Sequence, residues 1–474
     1  MPLSQFLTDF KEISKEKSFR NDVDFSHFQN DFLVDNFYSF RELFSFAKEN
    51  KVNLEDIDED FFYSEITNVT KNGEVNPVKL NLTIRKEEDN DYYKKIDKGD
   101  IIKVKQGEIL LSKVRPNLKK YVSVDSETQN YYFTSAFIHL IPTKLNKILY
   151  YALRTVFFEN LIAISRQGKG YPTLKEDDFY SLKFDKKIID KLSKKESELT
   201  GSINEIEGKI KKLKITVVDP QRIIDDVFIK EFGFNENKFT ELKSIKVFNL
   251  GLSDFSDNID LRNSVKFHRK AGAFVIEELK KITNKKIKHF LDGQIVLGSS
   301  VSPSDYDING DHFYLSMANI KNWKFEEEDA KRVSLEYSNI NQQKTVKKDD
   351  IIVARSGEGT IGKVAIIDDE NLKAVFADFT MRIRLKNYNS LFAYFYFRTT
   401  FFQYLIEINK KGLGNNTNIF PNQIQELPLL NIPLSRQKEI VKEIKTELDK
   451  QEETLRKIDI ERQKIDELIQ KAVE

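Results

Sequence analysis

The sequence contains no cysteine, which excludes disulfides, thiolate nucleophiles and Cys-ligated zinc together and fits a reducing compartment. It also lacks a surplus of charge. Lys and Arg number 76 against 75 Asp and Glu, so no net field advertises a polyanionic partner, although a locally basic face can be offset elsewhere. No stretch approaches the roughly 18–20 apolar residues of a membrane span, and the opening "MPLSQFLTDFKEISKEK" puts acidic residues where a signal peptide needs an apolar core. A cytoplasmic location with no membrane contact is expected. The histidines His27, His139, His268, His289 and His312 are scattered, with no H-E-x-x-H or paired ligand spacing, and acidic pairs such as Asp349-Asp350 and Asp368-Asp369 suit solvated turns. Neither a metal site nor a catalytic residue is expected.

What is present is length and repetition. A chain of 474 residues exceeds one ordinary domain about threefold. "LRTVFFENLIAISRQGKG" (153–170) lies on "FRTTFFQYLIEINKKGLG" (397–414), "GEILLSKV" (107–114) on "DDIIVARS" (349–356), and "FRNDVDF" (19–25) on "LRNSVKF" (261–267). The three matches keep their order and nearly one offset, which marks two copies of one α/β module.

Each copy is followed by a helical stretch. Ile189, Leu192, Leu199, Ile203, Ile206, Ile210 and Leu213, with Glu196 as a polar member between Leu192 and Leu199, step by threes and fours after the first copy. Val441, Ile444, Leu448, Leu455, Ile458, Ile465 and Ile469 do so after the second, with Gln451 and Arg462 as polar members. This is a coiled-coil rhythm, and Asp219-Pro220 supplies a cap and first-turn proline for a further helix. The plan predicts a module at 1–185, a central coil helix at 186–218, a connector helix and second module at 219–434, and a C-terminal coil helix at 435–474. Paired antiparallel, the helices would form a spacer of roughly 37 Å at about 1.5 Å per residue, close to a turn of B-DNA at about 34–36 Å, with pseudo-two-fold symmetry.

"RSGEGTIGKVAII" (355–367) carries Gly357, Gly359 and Gly362 in G-x-G-x-x-G spacing. A dinucleotide site needs those glycines to open a helix, whereas "KVAII" is β-branched and reads as a strand. The kinase loop shares the spacing but its Lys, H-R-D and D-F-G partners are missing. The first copy crosses the same gap as "LLSKVRPNLKKYVSV", without glycine. A strand-to-strand connection with positive-φ glycines is expected.

This organisation resembles the specificity (S, HsdS) subunit of type I restriction-modification systems. The resemblance rests on the duplicated plan and on "FPNQIQELPLLNIPLSRQKEIVKEI", where Ile432, Pro433, Leu434, Gln437 and Lys438 match the family's approach to its helix; the first copy lacks that I-P-L signature. It implies a non-enzymatic, mixed α/β subunit with two target recognition domains on an antiparallel coiled coil. The domains would read the halves of a split, asymmetric site in double-stranded DNA, while the helices set the gap and dock two methyltransferase subunits, with or without restriction (translocase/nuclease) subunits. No cofactor is expected on this chain; S-adenosylmethionine would sit on the methyltransferase subunits, and ATP and Mg on a nuclease subunit.

Phosphate contact needs Lys or Arg, and base reading needs Arg, Lys, Asn or Gln on an accessible loop. The candidates are Lys113, Arg115, Asn117, Lys119 and Lys120 at the first inter-strand tip, and Arg355, Ser356, Thr360 and Lys363 at the second. The loops after the aromatic helices add Arg166, Lys169 and Tyr171, and Lys410, Lys411, Asn415, Asn416 and Asn418. Two rival readings remain: a protein-binding scaffold without DNA specificity, and a nucleotide-dependent enzyme using the glycine loop.

Overall fold

The computed structural model describes residues 36–47, 52, 56–83, 91–167, 170–256, 262, 264–328, 330–357, 359–412 and 417–474. The match of 19–25 to 261–267 therefore lies largely outside the described residues. The chain divides into two compact units: unit 1 comprises the chain up to Ile215 together with Arg456–Glu474, and unit 2 comprises Thr216–Leu455.

The two four-stranded sheets of unit 1 use the strands β1 (Phe44–Phe46), β2 (Asp60–Ser64), β3 (Val78–Asn81), β4 (Ile102–Lys103), β5 (Ile109–Ser112), β6 (Tyr121–Ser123), β7 (Tyr132–Phe133) and β8 (Phe137–Pro142). They form an antiparallel sheet of order β1-β8-β5-β6 and a second sheet, β3-β2-β7-β4, in which β2 and β7 run parallel. Strand β5 is buried at all four positions, which its apolar run already requires.

Unit 2 repeats this arrangement. Its two larger sheets use β9 (Val296–Leu297), β10 (His312–Leu315), β11 (Arg332–Val333), β12 (Ile351–Ala354), β13 (Val364–Ile366), β14 (Ala374–Phe376) and β15 (Thr380–Ile383). The orders are β9-β15-β12-β13 and β11-β10-β14, with β10 and β14 parallel. Strand for strand, the antiparallel sheets correspond, and β2/β7 corresponds to β10/β14. Both units place two consecutive helices after the last strand of the antiparallel sheet: α1 (Asn146–Arg154) and α2 (Phe158–Ala163) in unit 1, and later in the chain their counterparts in unit 2.

Between the two sets of strands run α3 (Lys186–Lys194), α4 (Glu196–Ile215) and α5 (Pro220–Phe232); the second aromatic pair is α6 (Ser390–Arg398) and α7 (Thr400–Asn409), and the chain closes on α8 (Leu434–Val473). Asp219 caps α5 by accepting the N–H groups of Gln221 (2.7 Å) and Arg222 (3.3 Å), with Pro220 in its first turn. Helix α8 is antiparallel to its partners in each unit. In unit 1, Lys191 Nζ donates to the Val473 and Glu474 carbonyls (2.7 Å each), while Lys214 and Arg462 both pair with Glu74. In unit 2, Val218 N–H donates to Gln451 Oε1 (2.9 Å), Lys230 pairs with Glu443 (3.2 Å), and Arg436 forks onto Glu231. Residue numbers fall along α8 as they rise along its partners.

Three expectations need correction. The central helix is not continuous to residue 218: it breaks at Lys195 and α4 ends at Ile215. Ile189, Leu192, Leu199, Ile203, Ile206 and Ile210 are buried, but Leu213 is only half-buried. Nor does α8 carry one seam. Ile458, Ile465 and Ile469 are buried in unit 1, whereas Val441 and Ile444 join the core of unit 2 with Ile224, Val227 and Phe228 of α5, and Leu448 packs against that core. Leu455, where the units divide, is 47% exposed. A three-four rhythm records a buried stripe and does not name what covers it.

Candidate nucleic-acid interface

The two candidate loops of each copy, 57–64 residues apart in sequence at their contacts, meet through the backbone. In unit 1 the tip between β5 and β6 is bonded to the segment after α2: Arg115 N–H donates to the Pro172 carbonyl (2.9 Å), Leu174 N–H to Lys113 O (2.8 Å), and Val114 bridges Thr173. In unit 2 the tip between β12 and β13 meets the segment after α7: Ile419 N–H donates to Arg355 O (2.9 Å), Gly357 N–H to Thr417 O (3.3 Å), and Ser356 bridges Asn418. The bridges align Val114 with Ser356, hence Lys113 with Arg355 and Arg115 with Gly357.

That alignment explains the glycines. Gly357, Gly359 and Gly362 have φ of 84°, 80° and 86°, and a strand follows, as expected of a connection. The tip of unit 1 has positive φ at two places, Arg115 (51°) and Lys119 (53°), flanking the short turn Pro116–Leu118. The ladders β5/β6 and β12/β13 place Lys119 opposite the role of Gly362, since Leu111 pairs with Tyr121 and Val353 with Val364. Unit 1 therefore fills with side chains two left-handed positions that unit 2 fills with glycine, at roughly 1–2 kcal/mol each. At Gly362 the glycine is also needed for space, because a Cβ would lie 2.8 Å from Ile406 Cγ2.

Lys119 has a structural account. Its Nζ donates to the Arg154 carbonyl (2.8 Å) and lies 4.1 Å from the Phe158 ring centre, while Arg154 Nη1 donates back to Lys119 O (2.7 Å). Burial, then the Arg154 charge, holds the Lys119 ammonium below its usual range. Lys113 and Arg355 share another role: Lys113 Nζ donates to Ser135 O and Arg355 Nε to Asp378 O, both at 2.7 Å. Lys120 Nζ reaches Ile66 O (3.1 Å). Arg166 pairs with the fully buried Asp178 (2.8 Å), and Thr360 Oγ1 donates to Ser356 O (2.8 Å). Ser356 and Lys410 are buried, Lys410 against Glu407 (2.6 Å), so the expectation that they reach DNA is corrected: their loops turn them inward.

Arg115 and Asn117 are exposed, and Lys363 and Lys411 are half-exposed. Lys411 N–H and Asn418 N–H exchange bonds with each other's carbonyls (2.7 Å each). Lys169, Asn415 and Asn416 lie outside the described residues. Aromatic residues complete each platform. Tyr171, 43% exposed, carries the Arg115 guanidinium 5.2 Å from its ring centre. Phe379 and Phe420, 46% and 39% exposed, flank Arg355 at 5.7 and 6.0 Å, and Asn418 Oδ1 accepts from Arg355 Nη1 (3.4 Å). Sequence reasoning missed these two phenylalanines: Phe379 sits in a short polar turn, and Phe420 opens the segment whose pattern marks the approach to α8 and says nothing of its own exposure. It also missed Gln437 as a fastener: buried, it accepts from Asn389 N–H and donates to Ile432 O (2.9 Å each), tying the start of α8 to the cap of α6.

Among the described residues no group of three or more acidic or histidine side chains is placed to hold a metal ion, and no helix is long and apolar enough to cross a membrane. Exposed cations, amide side chains and aromatic rings on a bonded loop pair suit polyanion and base-edge contacts.

The chain is similar to HsdS from Thermoanaerobacter tengcongensis (12% identity, 92% of this chain and 95% of that one, TM-score 0.31). It is also similar to a type I restriction-modification S subunit from M. genitalium (11%, 93% and 97%, 0.38), and to a chain from a structure of type I R-M complex assembly and conformational transition (13%, 93% and 97%, 0.41). No curated protein matches. Residues 293–468 match the type I restriction modification DNA specificity domain, the family that the sequence resembles.

Proposed function

We propose that the chain is the DNA-specificity subunit of a type I restriction-modification complex, without chemistry of its own. Units 1 and 2 read the two halves of a bipartite, asymmetric site in double-stranded DNA. The helices set the gap and dock two methyltransferase subunits, which bring S-adenosylmethionine; a restriction subunit, where present, brings ATP and Mg. The observation that carries this reading is the repeated platform. Both units bond the same two loops together on the same sheet, yet Arg115, Asn117 and Tyr171 stand on one where Gly357, Phe379, Asn418 and Phe420 stand on the other. A common frame with unlike tips is what two readers of unlike half-sites require.

The test is co-expression with the methyltransferase subunits of its own system, followed by mapping of methylated bases. The expected outcome is one split motif with unequal halves. The isolated chain should bind duplex DNA modestly, and each phosphate contact should steepen the fall of log affinity with log salt by about 0.9. Methylation or cleavage by the chain alone would overturn the non-catalytic reading. Equal binding of the assembled complex to random and cognate DNA would favour a protein scaffold.

A further inference from the structure

Resting on that reading, we infer that Arg115 is a specificity-determining residue of unit 1 that reads a guanine in its half-site, with Tyr171 as its positioning residue. The first observation is the backbone. Arg115 occupies a left-handed position (φ 51°) where the duplicate copy uses Gly357 (φ 84°). An arginine retained at a place suited to glycine points to a use for its side chain, since strain at single residues gathers at functional sites.

The second observation is what that side chain does. Lys119, the other strained residue of this tip, spends its ammonium on the Arg154 carbonyl and the Phe158 ring. Arg115 is exposed, and its guanidinium rests on Tyr171, itself 43% exposed. Stacking fixes the plane of a guanidinium while leaving its edge of N–H donors available.

The third observation is the mounting. Pro116, next in the chain, is buried, and its carbonyl accepts from the buried Tyr121 hydroxyl (2.7 Å). Arg115 N–H is held by Pro172 O, beside Tyr171. The fork therefore projects from a turn fastened at both ends. A planar, always-charged fork matches the O6 and N7 acceptors of guanine in the major groove, the commonest specific contact arginine makes.

The decisive variant is Arg115→Gly, which installs the residue unit 2 uses and relieves the backbone. The full chain would be assembled with its methyltransferase subunits, and methylation assayed on duplexes carrying each base at every position of the wild-type motif. Thermal stability should be equal or higher. Discrimination at one guanine should fall roughly 5- to 150-fold, the range for one bidentate base contact, with the other half-site unchanged. Arg115→Lys should lose most of that discrimination, Tyr171→Phe little, and Tyr171→Ala an intermediate part. A wild-type motif kept by Arg115→Gly overturns the assignment, as does an equal loss on all sequences, which would mark a phosphate contact. A wild-type complex that methylates without sequence preference overturns the DNA-specificity reading, and this inference with it.

Discussion

At the turn before β5 in unit 1, Glu108 accepts the Lys105 N–H (2.6 Å); at the matching turn before β12 in unit 2, Asp350 accepts the Lys347 N–H (2.7 Å). The backbone demand is the same and the outer partner is not: Glu108 meets His139 (2.6 Å), whereas the fully buried Asp350 takes a two-point Arg384 fork (2.6 and 2.7 Å). The supporting helices repeat the lesson. Ile224, Asp225 and Phe228 of α5 sit in unit 2 at the spacing of Ile465, Asp466 and Ile469 of α8 in unit 1, the apolar members fully or nearly fully buried. Asp225 accepts from Thr400 N–H and Oγ1 (2.8 and 2.6 Å), capping α7. Asp466 instead faces the charges of Arg154 and Lys119. Duplication has preserved what the main chain needs and exchanged the side-chain partners around it.

The comparison can be broken most forcefully at the apolar pair. Phe228→Ala should destabilise unit 2 by about 3–5 kcal/mol and Ile469→Ala should destabilise unit 1 by about 2–5 kcal/mol. Hydrogen exchange resolves the two units where a single melting curve would not. An Ile469→Ala effect confined to the end of α8, leaving β5 and β8 protected, would show that α8 does not stand in for α5.

A smaller effect is expected at the acidic pair. Asp225→Ala removes a helix cap and should cost about 1 kcal/mol, read in the protection of α7 amides, while Asp225→Asn should cost less. Burial raises both Asp225 and Asp466 above the ordinary carboxyl value of 3.8. Ionising either therefore opposes folding as pH rises through its raised value. Asp466→Asn should flatten that dependence in unit 1 and leave unit 2 untouched.

The smallest effect belongs to Glu74. Burial pushes its carboxyl up, but Lys214 and Arg462 outweigh that and hold it below 4.5. Its contribution is therefore present above pH 4.5 and lost as pH falls through the lowered value. Glu74→Gln should blunt the acid loss of stability in unit 1 alone, measured by acid titration of exchange protection.

Much of this was legible in the chain. The matches at 107–114 and 153–170 correspond to β5 and α1–α2, and the glycines at 357, 359 and 362 announced their own positive φ. Arg115 and Lys119 gave no such sign, because arginine and lysine have no residue-level signature for a left-handed backbone; only alignment with the glycines of the other copy exposes them. The candidate loops could be named, but their union depends on bonds such as Leu174 N–H to Lys113 O, which span sequence distances no local pattern covers. Ser356 and Lys410 misled for the same reason, since polarity in a loop does not reveal which way the loop faces. Val441 and Ile465 share one rhythm on α8 and end in different cores, because periodicity reports a stripe and not its partner.

The passage of α8 through both units also sets a timetable. Unit 1 is completed by Arg456–Glu474, made about 240 residues after Ile215. At a synthesis rate of about 5–20 residues per second, the stripe of α4 that this segment pairs beside waits roughly 10–50 s for it. During that interval the first half of the chain lacks the segment that completes it, and a ribosome that stalls within unit 2 leaves behind a unit 1 that is unfinished, however perfect its own sequence.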